Sequence, residues 1–247
     1  MLKVRSLRFP FLILLILAIF LLGACKTVNV PTETPPPPTA TEVINPTPTQ
    51  EVLDQDPVNV NSSFTVRCLE TEGQILQIGD RFICQPPGWI YTSRPKDESI
   101  EPNVFWKEVA SDGFLRFEVS YIAGAFGLAT HVDAHPGERF MVRTRYKADM
   151  KPSDGAAYNP GDLNFICRFD NLASTNATSP PQQIVINDAD AEALCVFEVG
   201  GAVSRTVRVD VFMTLNWASY IGHVDVYSIE IYRVPHDQYD DAVVMLP

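Results

Sequence analysis

Beyond residue 60 the apolar positions of this chain recur at every second residue. In "TVRVDVFMTL", residues 206–215, Val207, Val209, Val211, Met213 and Leu215 share one side, with Thr206, Arg208, Asp210 and Thr214 on the other. That period predicts a strand with one buried and one wetted face. The same alternation runs through "FLRFEVSY" (Leu115, Phe117, Val119 and Tyr121 inward) and "RFMVRTRYKA". In the latter, Phe140, Val142, Tyr146 and Ala148 face inward, and Met141, Arg143, Arg145 and Lys147 outward. Shorter runs of the same kind are "SFTVRCL", "DRFICQ", "NVFWKEV", "NFICRFD", "LCVFEV" and "HVDVYSIEIYRV", separated by turn-rich pieces such as "PSDGAAYNPGD". About nine strands in all predict an all-β protein, a β-sandwich of the jelly-roll kind. The stretch "NDADAEA", residues 187–193, is the one candidate for a short helix.

The N-terminus follows a different pattern. Lys3, Arg5 and Arg8 precede the apolar run "FPFLILLILAIFLL", residues 9–22, after which Gly23 and Ala24 lead to Cys25. A charged start, a short apolar core and small residues at its end describe a signal peptide. The run is shorter than the roughly 20 residues a spanning helix needs, which disfavours the alternative of an uncleaved signal anchor. Leu22-Gly23-Ala24-Cys25 resembles the lipobox of bacterial lipoproteins. The resemblance implies cleavage before Cys25 and attachment of lipid, such as palmitate, to that cysteine. Several acyl chains hold a protein on a membrane where one does so only marginally.

Between Pro31 and Thr49 stand seven prolines and six threonines. With almost nothing to bury, the segment reads as a disordered, extended spacer between anchor and domain. The expected organisation is a signal peptide over 1–24, a lipid-anchored Pro/Thr-rich linker over 25–60, a jelly-roll domain over 61–235 and an acidic tail over 236–247. The expected location is the extracytoplasmic face of a cell membrane, at the surface or in the periplasm.

Charge narrows the partners. The chain of 247 residues carries a net charge of −11, and loss of the leader's three cations takes it to −14. Such a balance argues against nucleic acid as a ligand. Apart from Cys25, four cysteines remain: Cys68, Cys84, Cys167 and Cys195. In an exported chain they read as two disulfides, with sequential pairing favoured among three possible connectivities. Cys68 and Cys84 enclose a turn near Gly79-Asp80, while Cys167 and Cys195 share the inward parity of Phe165, Phe169 and Phe197.

Two stretches, "GLATHVDAHPGERFMVRTRYKAD" and "TVRVDVFMTLNWASYIGHVDVYSIEIYRV", resemble the jelly-roll carbohydrate-binding modules of the galactose-binding-like class. The features carrying the likeness are the Pro136-Gly137-Glu138 turn and Asp225 within the apolar last strand. The resemblance implies a polysaccharide ligand and, through Asp225, a structural calcium. The strand that helps hold this ion in family members has no counterpart here, where "VRCLETEGQILQIGD" stands instead.

Sugars are held by aromatic rings stacked on pyranose faces and by a few orienting polar groups. Trp89, Trp106, Trp217 and Tyr220 are the candidate platforms. Each also has a plain reading as core packing. Arg143, Arg145 and Lys147 form an outward cationic row, suited either to an anionic polysaccharide or to cross-strand pairing with outward carboxylates such as Glu118 and Asp210. No Gly-x-Ser-x-Gly elbow, His-Glu-x-x-His motif or phosphate-binding loop is present, so the expectation is a non-catalytic protein without cofactor. Two alternatives remain: a structural or protein-interaction lipoprotein with no sugar site, and a glycoside hydrolase whose carboxylate pair no motif selects.

Overall fold

The computed structural model describes residues 56–72, 74–96, 100–110, 112–153, 159–170, 177–200, 205–216 and 220–235. The signal peptide, Cys25, nearly all of the spacer, Trp217 and the tail from 236 lie outside the described residues. Among the described residues thirteen strands run in chain order: β1 Ile75–Ile78, β2 Arg81–Cys84, β3 Ile90–Pro95, β4 Asn103–Val109, β5 Asp112–Ser120, β6 Gly124–Ala134, β7 Arg139–Pro152, β8 Leu163–Asp170, β9 Ala177–Thr178, β10 Gln182–Gln183, β11 Asp190–Glu198, β12 Arg205–Leu215 and β13 Tyr220–Val234. Short 3-10 turns at Glu70–Glu72 and Pro160–Asp162 are the helical elements among the described residues. No helix there is long and apolar enough to cross a membrane.

The strands form a seven-stranded sheet, β1-β2-β4-β5-β13-β7-β11, and a six-stranded sheet with main order β10-β8-β12-β6-β3 and β9 beside β8. Nearly every pairing is antiparallel; β2 with β4 is the parallel one. From β5 onward the long strands β5, β6, β7, β8, β11, β12 and β13 alternate between the sheets, the winding of a jelly roll. The inward parity expected for β5, β7 and β12 is observed, and Phe117, Phe140, Val142, Val209, Val211 and Leu215 are all buried; Tyr121, expected inward, instead lies past the end of β5 at a left-handed φ of 55° and is 52% exposed. Phe165 of one sheet meets Tyr146 of the other with ring centroids 4.8 Å apart, and Phe169 stacks on Phe197 at 3.7 Å.

Both disulfides follow the sequential pairing. Cys68–Cys84 ties the segment before β1 to the end of β2, around the β1–β2 hairpin. Cys167–Cys195 joins β8 to β11 and so bolts one sheet to the other.

Four expectations differ in detail from the structure. Residues 63–69 form no strand: Phe64 takes a left-handed φ of 50° and drops into the core with no exposure. Residues 187–193 form no helix, because Asp190 to Ala193 pair with Lys147 to Thr144 as the start of β11. The edge of β7 supplies hydrogen bonds there, and alternation (Ala191 and Ala193 inward, Asp190 and Glu192 outward) suits them. The count of strands rises because β1, β3, β6 and two two-residue strands add to those marked by clear alternation. Packing also starts before residue 61, since the Val58 amide donates to the Ile231 carbonyl at 2.7 Å.

Candidate functional site

The sequence-selected platforms turn inward. Trp89 is 2% exposed and its indole N–H donates to the Asn61 carbonyl at 3.2 Å. Tyr220 is likewise 2% exposed and its hydroxyl donates to Asp162 at 3.2 Å. Trp106 packs against the core from β4, with its indole N–H bonded to the Phe64 carbonyl at 2.8 Å. These three rings are therefore packing, anchored by polar handles at the rim of the core. Trp217 lies outside the described residues.

Asp225 faces outward on β13, and Arg116 of β5 grips both its oxygens, at 2.7 and 2.8 Å. Bidentate pairing with a guanidinium occupies the carboxylate that the calcium reading needed, so the expectation of a metal at Asp225 gives way to an ion pair. Among the described residues no cluster of three His, Cys, Asp or Glu side chains is arranged to hold a metal ion.

The core between the sheets is tightly filled around Phe117 and Phe165. The space between the sheets, bounded by Phe117, Phe126, Phe165, Val211 and Ile229, amounts to about 10 Å³, at the lower limit for a single water. The outer face of the seven-stranded sheet is different. Where β7 lies between β11 and β13, a groove of about 390 Å³ is lined by Arg145, Tyr146, Asp190, Ala191, Glu192 and Tyr227.

Local strand geometry builds this groove. β13 pairs with β7 through Val226 opposite Tyr146, then resumes with Ser228 opposite Arg145. Tyr227 is the extra residue of this β-bulge, a feature that re-aims a side chain. Its half-buried ring packs on Phe114, which faces outward from β5, with centroids 5.4 Å apart. Burial first, then the Asp225 carboxylate, raise the Tyr227 pKa above the usual phenol range. At pH 7 its hydroxyl is a neutral donor and acceptor.

The outward cationic row runs beside this ring, and its partners are carboxylates. Arg143 meets Glu230 of β13 at 2.6 Å and approaches Glu192 of β11 at 3.9 Å. Arg145 lies 3.8 Å from the same Glu192, and Lys147 lies 3.2 Å from Asp188. The pairing expected of the row is present, but through Glu230, Glu192 and Asp188; Asp210 belongs to the other sheet and pairs with Arg208. Burial tends to lower the Arg143 pKa, yet its bond to Glu230 carries the net shift upward. Burial pushes Glu230 up, and bonds from Tyr232 and Arg143 outweigh it, holding the carboxylate below its usual range.

Sequence reasoning missed Tyr227. In "HVDVYSIEIYRV" it interrupts the alternation, for Val224 and Val226 are inward, as are Ile229 and Ile231. The break in parity between Val226 and Ile229 was the available signal of a bulge.

No family model matches the chain, and no curated protein matches it in sequence. Solved structures resemble it at low identity. TmCBM61 in complex with β-1,4-galactotriose shares 8% identity over 72% of this chain and 99% of its own, with a TM-score of 0.41. A Stig cyclase from Fischerella sp. TAU shares 14% over 72% of this chain and 97% of its own, with a TM-score of 0.44. The enzymatically active domain of tailspike protein 4 from bacteriophage CBA120 shares 12%, also with a TM-score of 0.44. The match spans 72% of this chain but only 21% of the tailspike chain. These neighbours differ in their stated roles, and likeness at this level assigns none of them.

Proposed function

We propose that this chain is a lipid-anchored, extracytoplasmic and non-catalytic protein that binds carbohydrate in the groove beside Tyr227. The observation that carries the reading is the groove itself. An amphipathic ring, held at an angle by a bulge and backed by Phe114, forms one wall. Arg145, Asp190 and Glu192 supply donors and acceptors opposite it. That is the combination a pyranose requires: an apolar face to stack on and polar groups to bond its hydroxyls. The cations of the row are matched by Glu192, Glu230 and Asp188, so the site suits an uncharged sugar better than a polyanion. The anchor at Cys25 and the Pro/Thr-rich spacer support a role at a membrane surface, with the domain held clear of the headgroups.

Retention of the purified protein on immobilised xylan, β-glucan, galactan and mannan tests the reading. Retention on at least one, lost in Tyr227→Ala while the unfolding midpoint is kept, is the expected result. A folded protein retained on none of them would favour the second reading, an assembly or adhesion module without a sugar site. The observation on that side is the loss of Trp89 and Tyr220 to the core.

A further inference from the structure

Three rows of outward side chains cross the seven-stranded sheet in the register of β4, β5, β13 and β7. Lys107, Phe114 and Arg145 belong to the first, which the bulged Tyr227 joins by packing on Phe114, and Phe105, Arg116, Asp225 and Lys147 make the second. Asn103, Glu118, His223 and Asp149 make the third. Phe82 of β2 extends the third row, since its amide donates to Asn103 at 3.1 Å and its inward neighbour Ile83 lies opposite Val104.

Three aromatic rings with solvent access stand on this grid: Tyr227 and Phe105, both half-buried, and Phe82, 49% exposed. Each lies one row and one or two strands from the next. With strands about 4.8 Å apart and a rise of about 3.3 Å per residue, Phe105 sits about 12 Å from Tyr227 and Phe82 about 8 Å farther on. The rings therefore mark a diagonal that leaves the groove and crosses β13, β5 and β4 to reach β2. Polar groups alternate with them: the Arg116–Asp225 pair lies between Tyr227 and Phe105, and Asn103 lies beside Phe82. Lys107 Nζ, 5.3 Å from the Phe105 centroid, belongs to an exposed side chain that a stacking ring displaces at little cost.

We propose that the ligand is a chain of several sugar rings laid obliquely across the strands, with Tyr227, Phe105 and Phe82 as successive stacking platforms. The inference rests on the carbohydrate reading of the Tyr227 groove. A single sugar stacked on Tyr227 does not reach Phe105 and Phe82; only an extended chain reaches all three. Three platforms at this spacing make affinity depend on chain length.

Calorimetric titration of the full chain with β-1,4-linked gluco-, xylo- and galacto-oligosaccharides of one to six rings tests this. The expected result is a Kd that falls at least about tenfold between two and five rings, as a further stacking contact predicts. Phe82→Ala and Phe105→Leu, the latter keeping apolar packing while losing the flat ring, raise Kd for five-ring ligands about fivefold and leave two-ring ligands unchanged. Length-independent affinity, or five-ring binding unaffected by both variants, overturns the diagonal site while leaving the groove in place. Undiminished binding by Tyr227→Ala, or no binding by any series, overturns the groove and the diagonal together.

Discussion

The Tyr227 ring rests on Phe114 with centroids 5.4 Å apart, on the outside of a sheet whose inner face is already filled. Phe114 is only 4% exposed although it points away from the core, because Tyr227 covers it and the Arg116 guanidinium lies 5.8 Å from its ring. The sheet thus supports its surface ring from below. Phe114→Ala is expected to cost about 3 kcal/mol in urea unfolding and to weaken polysaccharide retention by releasing Tyr227. Tyr227→Phe, which keeps the stacking surface, is expected to retain the polysaccharide.

The Arg143–Glu230–Tyr232 cluster sets an acid limit. Glu230 accepts from Arg143 at 2.7 Å and from the Tyr232 hydroxyl at 2.7 Å, and its folded pKa lies below the ordinary carboxylate value. A lowered folded pKa contributes stability above the unfolded value of about 4.3 and loses it as pH falls through the folded one. Glu230→Gln is expected to flatten the acid side of a plot of urea midpoint against pH. Tyr232 acts at the other extreme, raised to about 12 by burial and by Glu230. Its contribution is full below about 10 and is lost as pH rises through the folded value, so Tyr232→Phe is expected to flatten the alkaline side.

Each disulfide closes a loop, of 16 residues for Cys68–Cys84 and 28 for Cys167–Cys195. The chain-entropy account gives about 3 and about 3.5 kcal/mol respectively. Double alanine replacement of each pair, followed by chemical unfolding, is expected to show the larger loss for the bond that joins the sheets.

Gly222 takes a φ of +137°, and a Cβ there would overlap the carbonyl oxygen of Asp149 on β7. β13 and β7 lie too close at this point for any side chain. Gly222→Ala is expected to cost at least about 2 kcal/mol, read as a lowered thermal midpoint, through clash and backbone strain together.

Cys25→Ser is expected to abolish lipid attachment, so that the protein is released from membranes or accumulates unprocessed. Fractionation and mass measurement of the N-terminus check this. Unchanged membrane attachment would indicate a signal anchor.

Much of the architecture was legible because a half-buried strand writes itself as alternation. Val207 to Leu215 and Phe140 to Ala148 could only bury one face, and β12 and β7 do so. β6 was harder to read: its outward positions Ala125, Gly127 and Ala129 are small and apolar, and polar residues mark its wet side only at His131 and Asp133. Phe64 and Trp89 illustrate a second limit. Their apolar character was plain, but whether such a ring faces core or solvent depends on the chain's path through turns, as at Phe64.

By itself the sequence determined an all-β domain and four inward or loop-closing cysteines, since each is encoded by neighbours along the chain. Tertiary structure alone decided which residues stand together across strands. Arg116 reaches Asp225 across 109 positions, and Tyr227 lines one groove with Arg145, Asp190 and Glu192 where a bulge shifts β13 by one residue against β7. Register is a property of two strands at once, and no single strand's pattern contains it.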